Sequence, residues 1–490
     1  MIYKKSMKPH YDRIRRVKTK SGSIAIQVGY YQGKRFKLKK HIGSAKNEEE
    51  VNKLEDIAYE FIKNSSSQLF LNFNPQKEEI MYKKGIKIEK AYLEEAYDFL
   101  SSIYQKIGFS KINNEYLKNF SIIRVLEPSS KIKSIQLLKK YFNIEYKKTT
   151  VFRELLNTLK FKDEVFKKAI NYAKNHLSFN FTLVFYDVTT LYFETDKDDN
   201  LRTTGFSKEN KINNPQILVG ILVEKTGFPL YFDFFKGNTF EGKTFIPTIL
   251  KIKNKYKIDT FTVVADSGML SSSNLKELEE NNLKYIVSTR VKNLIYNEAK
   301  KIHTLLNKKD GKIIKVGDVF YQYSASRAKK DKKDNEKQIE KALYYLQNPS
   351  KIYKKPRFLV KEQKDKFYLN ELLIEKYRFL EGIKGYKTNI KNINPHLVIE
   401  RYKDLWKIEQ SIRITKSDLK ARPIYHRKKD SIDYHLLIVF IALCMTKVIE
   451  IKEKKSIRRI IDDLKNNWTI VLKDEISGNR LKLQFKEKPH

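Results

Sequence analysis

Residues 179–194 read FNFTLVFYDVTTLYFE, and the order of elements that follows them decides the fold. Phe, Val, Thr and Tyr dominate the run, the composition of a strand buried within a sheet. Asp187 stands in its middle, where a carboxylate withdrawn from water needs a partner or a metal. After a polar loop (195–214) comes PQILVGILVEKTGFPLYFDFFKGN. Its Lys225-Thr226-Gly227 reads as the turn of a hairpin with strands near 216–223 and 228–235. Residues 241–254 carry a helical pattern. DTFTVVADSGMLS (259–271) is a further buried strand, with Asp266 at its C-terminal end.

Strand with Asp, hairpin, helix, strand ending in Asp: this is the opening of a ribonuclease-H-like core. The first and fourth strands of such a core are neighbours, so Asp187 and Asp266 are expected to face one another. Two carboxylates that close repel, and one pKa climbs unless a divalent cation lies between them. Taken singly each Asp reads as a cap or turn residue, strongly so for Asp266-Ser267-Gly268; taken together they favour a metal. LKYIVSTR (283–290) is one more strand. Residues 291–370 hold strand-like KIIKVGDVFYQYSAS and the charge run RAKKDKKDNEKQIEK (327–341), which fits an insertion, partly β and partly basic helix. RFLEGIKGYKTN (378–389) is the expected return strand.

YKDLWKIEQSIRITKSDLK (402–420) follows. Wound as one α-helix, it places Tyr402, Trp406, Glu409, Arg413, Lys416 and Lys420 on a single stripe. Leu405, Ile408, Ile412 and Leu419 fall on the adjacent, core-facing stripe. In this order of elements Asp187, Asp266 and Glu409 would converge on two metal ions. Oxygen ligands suit Mg²⁺ or Mn²⁺, and a single cysteine with eight scattered histidines weakens any zinc reading. Two such ions activate a water or a 3′-hydroxyl and stabilise a leaving 3′-oxygen. Arg413 and Lys416 are placed to hold phosphate oxygens, whereas Lys420 reads better as a solvated face. Beyond them Arg422-Pro423 stops the helix. Arg422, His426, Arg427, Lys428 and Lys429 extend the basic surface, and 434–449 reads as a buried helix.

Lys and Arg number 99 against 58 Asp and Glu, a net charge of +41 that predicts a polyanionic partner, most plausibly nucleic acid. Cys444, alone in an apolar run, excludes disulfides and fits a reducing compartment. The N-terminus has no secretory apolar segment. The longest apolar run, Leu436 to Met445, is about half a membrane span, so a soluble, cytoplasmic protein without a membrane partner is expected.

Residues 1–85 read as a small basic β module, or a solvated tail with some hairpin, followed by a helix over 47–64. Lys4, Lys5, Arg13, Arg15, Arg16, Lys18 and Lys20 crowd its start. The pattern from 87 to 180 is helical throughout, with basic connectors suited to a domain that binds DNA ends. The expected layout is 1–85, 86–178, core 179–290, insertion 291–375, core 376–450, and a basic tail 451–490.

Tyr402-x-x-Leu405-x-x-x-Glu409-x-x-x-x-x-x-Lys416 resembles the Tyr-Arg-Glu-Lys signature of bacterial insertion-sequence transposases of the DDE type, in the insertion-sequence-four group. YDVTTLYFE, GFSKENKINNPQILVGILVEKTGFPLYFDFFKGNTFEGKT, VVADSGMLS and LWKIEQSIRITKSDLKARPIYH are similar to that group's blocks in the same order, over about 179–445. The signature's Arg falls on Leu405, with Arg413 the candidate substitute. The resemblance implies an α/β, ribonuclease-H-like catalytic core with a β-rich insertion. It implies Asp187, Asp266 and Glu409 as catalytic and metal-binding triad, and Tyr402 and Lys416 at the phosphates of a transposon end. It further implies double-stranded DNA as partner, two Mg²⁺ or Mn²⁺ ions, a homodimer that pairs two ends, and a bacterial, nucleoid-associated setting. Release of the element through a hairpin intermediate is compatible with it. A metal-dependent nuclease on the same core, and a non-catalytic DNA-binding derivative, stay open as alternatives.

Overall fold

The computed structural model describes residues 13–19, 22–32, 35–45, 47–65, 86–195, 197–206, 213–258, 260–266, 271–352, 356–361, 367–475 and 478–486. Lys4, Lys5, Lys20, the turn at Gly33, the stretch 66–85, Ser267 and Gly268 lie outside them. The chain divides into two compact units, Met1–Tyr172 with Arg413–His490, and Ala173–Ile412. The expected second core segment, 376–450, is therefore split at residue 412.

In the first unit, β1 (Arg13–Lys18), β2 (Ile24–Gln32) and β3 (Arg35–Ala45) form an antiparallel sheet in that order. Ile26 and Val28, two apart on β2, point to one face and are fully buried with Val51 and Ala58 of α1 (Glu48–Ser65). The helical expectation for 87–180 fails at its start. Ile86–Tyr92 is a strand, β4, antiparallel to β15 (Asn467–Asp474), which in turn pairs with β16 (Arg480–Lys486). Its partner lies at the other end of the chain, so no local periodicity announces it. Helices α2 (Glu94–Lys106), α3 (Glu115–Leu126), α4 (Lys131–Phe142), α5 (Lys148–Asn157) and α6 (Lys162–His176) then follow. Ser130 caps α4 by accepting from Lys133 N at 3.3 Å, and Asn143, in the left-handed region at φ 57°, ends it.

The 25-residue α14 (Lys429–Glu453) packs against α3 and is longer than the expected 434–449. It is long and apolar enough to cross a membrane, but 94% of its most apolar window is buried inside the protein, as in a core helix. α15 (Ile457–Lys465) completes the unit's helices with Ile457, Ile460, Ile461 and Leu464 buried on one stripe.

The second unit is built on an eight-stranded mixed sheet. From one edge run β7 (Pro229–Lys236), β6 (Gln216–Val223), β5 (Leu183–Tyr192), β8 (Thr262–Ala265), β9 (Lys284–Thr289), β14 (Ile383–Thr388), β11 (Val319–Tyr323) and β10 (Ile313–Val316). β5, β8 and β9 are parallel neighbours, and the remaining pairs are antiparallel. The first five strands reproduce the adjacency expected from the sequence. Every residue of β6 is buried, which is why its run of Ile, Leu and Val shows no alternation.

The expected 291–375 insertion is not wholly separate, since its hairpin β10–β11 joins the main sheet through β14. What stands outside that sheet is helical, α9 (Tyr296–Leu306), α10 (Ala325–Gln347) and α11 (Glu371–Phe379), with the short ladder β12 (Leu359–Lys361) and β13 (Phe367–Leu369). α7 (Gly242–Lys255) and α8 (Ser272–Glu280) belong to the crossovers around β8. α12 (Pro395–Lys403) and α13 (Leu405–Arg413) follow β14.

Candidate active site

The parallel register of β5 and β8 pairs Leu183 with Thr262, Val184 with Val263 and Phe185 with Val264. Carried two residues on, the same register sets Asp187 level with Asp266, on strands about 4.8 Å apart. Level residues of parallel strands project to the same face, so the two carboxylates share it. Asp187 is half-buried and accepts from Val188 N at 2.7 Å; Asp266, one residue past the end of β8, is exposed. The local reason is that β8 stops after four residues, letting the side chain that follows it reach water while β5 runs on.

The register continues across β9 and β14, bringing Ser288 and then Tyr386 to the same level. Ser288 Oγ donates to Asp266 Oδ1 at 3.1 Å, and Tyr402 OH, from α12, donates to the same oxygen at 3.2 Å. Two hydroxyl donors on one oxygen fix the carboxylate's rotation. Burial, ahead of the Asp266 charge, raises the Tyr402 pKa, which keeps it a donor at neutral pH. Its ring packs edge-on to Tyr386 with centroids 5.1 Å apart, and the Lys384 ammonium lies 4.3 Å from the Tyr402 centroid. Burial lowers the Lys384 pKa, Arg327 adds to the lowering, and the negative charges of Asp266 and Glu409 oppose it. Sequence reasoning missed Ser288, Lys384 and Tyr386: each sits on a strand whose neighbours are set by long-range pairing.

The expected single helix over 402–420 is three elements. Tyr402 ends α12, Asp404 is its C-cap, α13 carries Trp406 and Glu409, and Ile414–Asp418 is one turn of π-helix. The 4-3-4-3-4 stripe is therefore interrupted before Trp406, and Lys416 lies in a wider turn with a different phase. The apolar stripe survives, with Leu405, Ile408 and Ile412 buried while Glu409 is exposed. α13 is seated on the β6–β7 turn, where Ser411 Oγ donates to Gly227 O at 2.7 Å. Gly227 has φ +85°, and a Cβ there would meet Lys407 O at 3.0 Å, so a side chain would push at the helix that carries Glu409.

Residues 182–445 match the family described as the transposase DDE domain. The chain belongs to the DDE transposase family. The match spans more than half of its length and nearly the whole stretch on which the sequence resemblance rested. Among solved structures, it is similar to a Mos1 transposase paired-end complex with left transposon end (10% identity, TM-score 0.16, covering 48% of this chain and 66% of that one). It is also similar to a Mos1 mariner paired-end complex with Mn (11% identity, TM-score 0.15, 47% and 72%). This chain thus spans just under two thirds of the first of these. A search of curated proteins found no match.

DDE transposases use divalent metal ions, and the donors at the β5–β8 edge fit one. Mg²⁺ binds through one or two carboxylates and takes its remaining ligands from water and substrate phosphate. Asp187 and Asp266 provide that pair on one face. Among the described residues no three His, Cys, Asp or Glu side chains stand together at metal-binding distance, so Glu409 is not gathered with the aspartates, which the register alone sets level. Of the other expected transposase contacts, Tyr402 and Trp406 belong to the unit that holds the aspartates. Arg413, Lys416, Lys420, Arg422 and His426 belong to the other unit.

Proposed function

We propose that this chain is a transposase of the insertion-sequence-four type, which cuts double-stranded DNA at the ends of its element and joins the freed 3′-hydroxyls to target DNA. The observation that carries the reading is the register that sets Asp187 and Asp266 level on parallel β5 and β8. In this reading Asp187 and Asp266 hold the metal ions, and exposed Glu409 turns towards them from α13 once substrate phosphate is present. Two bound Mg²⁺ or Mn²⁺ ions would lower the pKa of the attacking water or 3′-hydroxyl and stabilise the leaving oxygen. Tyr402 and Ser288 hold the Asp266 carboxylate in one rotation, and Lys384 offers its charge to a non-bridging phosphate oxygen. Trp406, Arg413 and Lys416 contact the transposon end, Arg413 in place of the signature Arg that Leu405 replaces. A homodimer holds the two ends together in the bacterial nucleoid, and a hairpin on the released end belongs to the same reading.

The test uses purified full-length protein and labelled duplexes carrying the ends of the element, with Mg²⁺, Mn²⁺ or EDTA. Metal-dependent cleavage and joining, lost in Asp187→Ala and Glu409→Ala while DNA binding persists, is the expected result. Cleavage unaffected by either substitution would sink the triad, and specific binding without cleavage would favour a non-catalytic DNA-binding protein.

A further inference from the structure

The first unit contains a cavity of about 380 Å³ that the carboxylate site does not use. Its wall joins the N-terminus of α4, including Ser129 and Ser130, to the segment that carries Lys420, Arg422 and His426. Arg124 and Lys131 also line it, at 3% and 4% exposure, and among the described residues no carboxylate does. Arg124 Nη1 reaches only long contacts, Leu419 O at 3.4 Å and Lys420 O at 3.5 Å, and Lys131 Nζ lies 3.5 Å from His435 Nδ1. The partners are thus two carbonyls and an imidazole rather than a counter-charge. Burial lowers the pKa of Arg124 to about 10 and that of Lys131 well below its ordinary value, and the two cations press on each other. His435, whose Nε2 meets Ala421 O at 3.0 Å, and His426 are held towards the neutral form by burial and by the same two cations.

Burying cations without an acid is costly unless a partner of opposite charge is bound. A cavity lined by two buried basic side chains, by Arg422 and by a helix N-terminus has the chemistry of an anion site. We propose that this cavity binds a phosphate group of a DNA strand, with Arg124 and Lys131 at its floor and Arg422 at its mouth. A second phosphate-binding site, built from residues other than the three carboxylates, then anchors DNA without taking part in bond breaking. The inference rests on DNA being the substrate but not on the carboxylate chemistry, so binding can support it even where cleavage fails.

The test measures thermal unfolding with inorganic pyrophosphate against chloride at equal ionic strength, and duplex DNA affinity across a salt series. The variants are Lys131→Met, which keeps length and removes the charge, and Arg422→Gln at the less buried rim in case the first does not fold. Pyrophosphate is expected to raise the melting temperature of the wild type and to lose that effect in the variant. The same variant should bind duplex about tenfold more weakly, with the salt slope reduced by about one. Stabilisation by pyrophosphate with unchanged DNA binding would overturn the DNA assignment in favour of a free phosphate. No stabilisation beyond chloride, or the same stabilisation in both variants, would overturn the site.

Discussion

The carboxylate edge of the mixed sheet and the cation-lined cavity at α4 handle charge in opposite ways. Asp187 and Asp266 keep contact with water, and their donors include a backbone amide and two hydroxyls at 2.7–3.2 Å. Arg124 and Lys131 are almost wholly buried, with carbonyls and an imidazole for company. An acid pair meant for a hydrated divalent ion loses little by staying wet, because the ion brings its own water. A cation meant for a phosphate gains by being dry, since the attraction grows as the local dielectric falls. The same chemistry of opposite charges is thus poised from two starting points.

The comparison breaks most visibly at the acids. Asp187→Asn or Asp266→Asn should lower strand cleavage by about a hundredfold to a thousandfold, the scale of losing a preorganised electrostatic group, while circular dichroism stays unchanged. Full activity in either variant would remove the carboxylate edge from the comparison. Tyr402→Phe keeps the ring against Tyr386 but deletes the donor to Asp266. A hydrogen bond to a charged acceptor is worth about 1.5–3 kcal/mol, so cleavage should fall about tenfold or more, read in single-turnover assays with saturating metal. Lys384→Met should weaken DNA binding only a few-fold, judged by fluorescence anisotropy, because the lost charge is one among many.

The cavity is sharpened by pH. His426 is depressed to about 4 and His435 lies well below its ordinary value. Between the ordinary histidine pKa of about 6.5 and these lower values the unfolded chain binds more protons than the folded one, so stability is lost as the pH falls through that window and is fully present above it. The urea midpoint should therefore be lower at pH 5 than at pH 7.5, and His426→Gln should reduce the difference. An unchanged midpoint across that range would mean that these imidazoles are not held neutral in the folded protein.

Much of the second unit was legible from residues alone. The hairpin expected at 216–223 and 228–235 and the helix after it are local patterns that emerge within a residue or two, while the strand before Asp266 emerges shorter, as Thr262–Ala265. The interruption at Asp404 was not legible. Nothing in YKDLWK forbids a continuous helix, and Asp404 NH still bonds to Glu400 O while Lys407 NH bonds to Asp404 O. The strand at Ile86–Tyr92 and the joining of β10–β11 to the main sheet were equally hidden, being settled by partners far along the chain.

The sequence by itself determined the order of strands and helices around Asp187 and Asp266, the apolar face beneath Glu409, and the excess of positive charge. These follow from side-chain periodicity and composition, which need no partner to be read. Only the tertiary structure decided which side chains hold Asp266, since Ser288 meets it through the register of β8 and β9 and Tyr402 reaches it from α12. It alone decided, too, that Arg124 and Lys131, seven residues apart and unremarkable in a chain of +41 charge, would be buried together without an acid. Burial is a property of the packed whole, and a lysine's charge takes its meaning from what the fold withdraws from it.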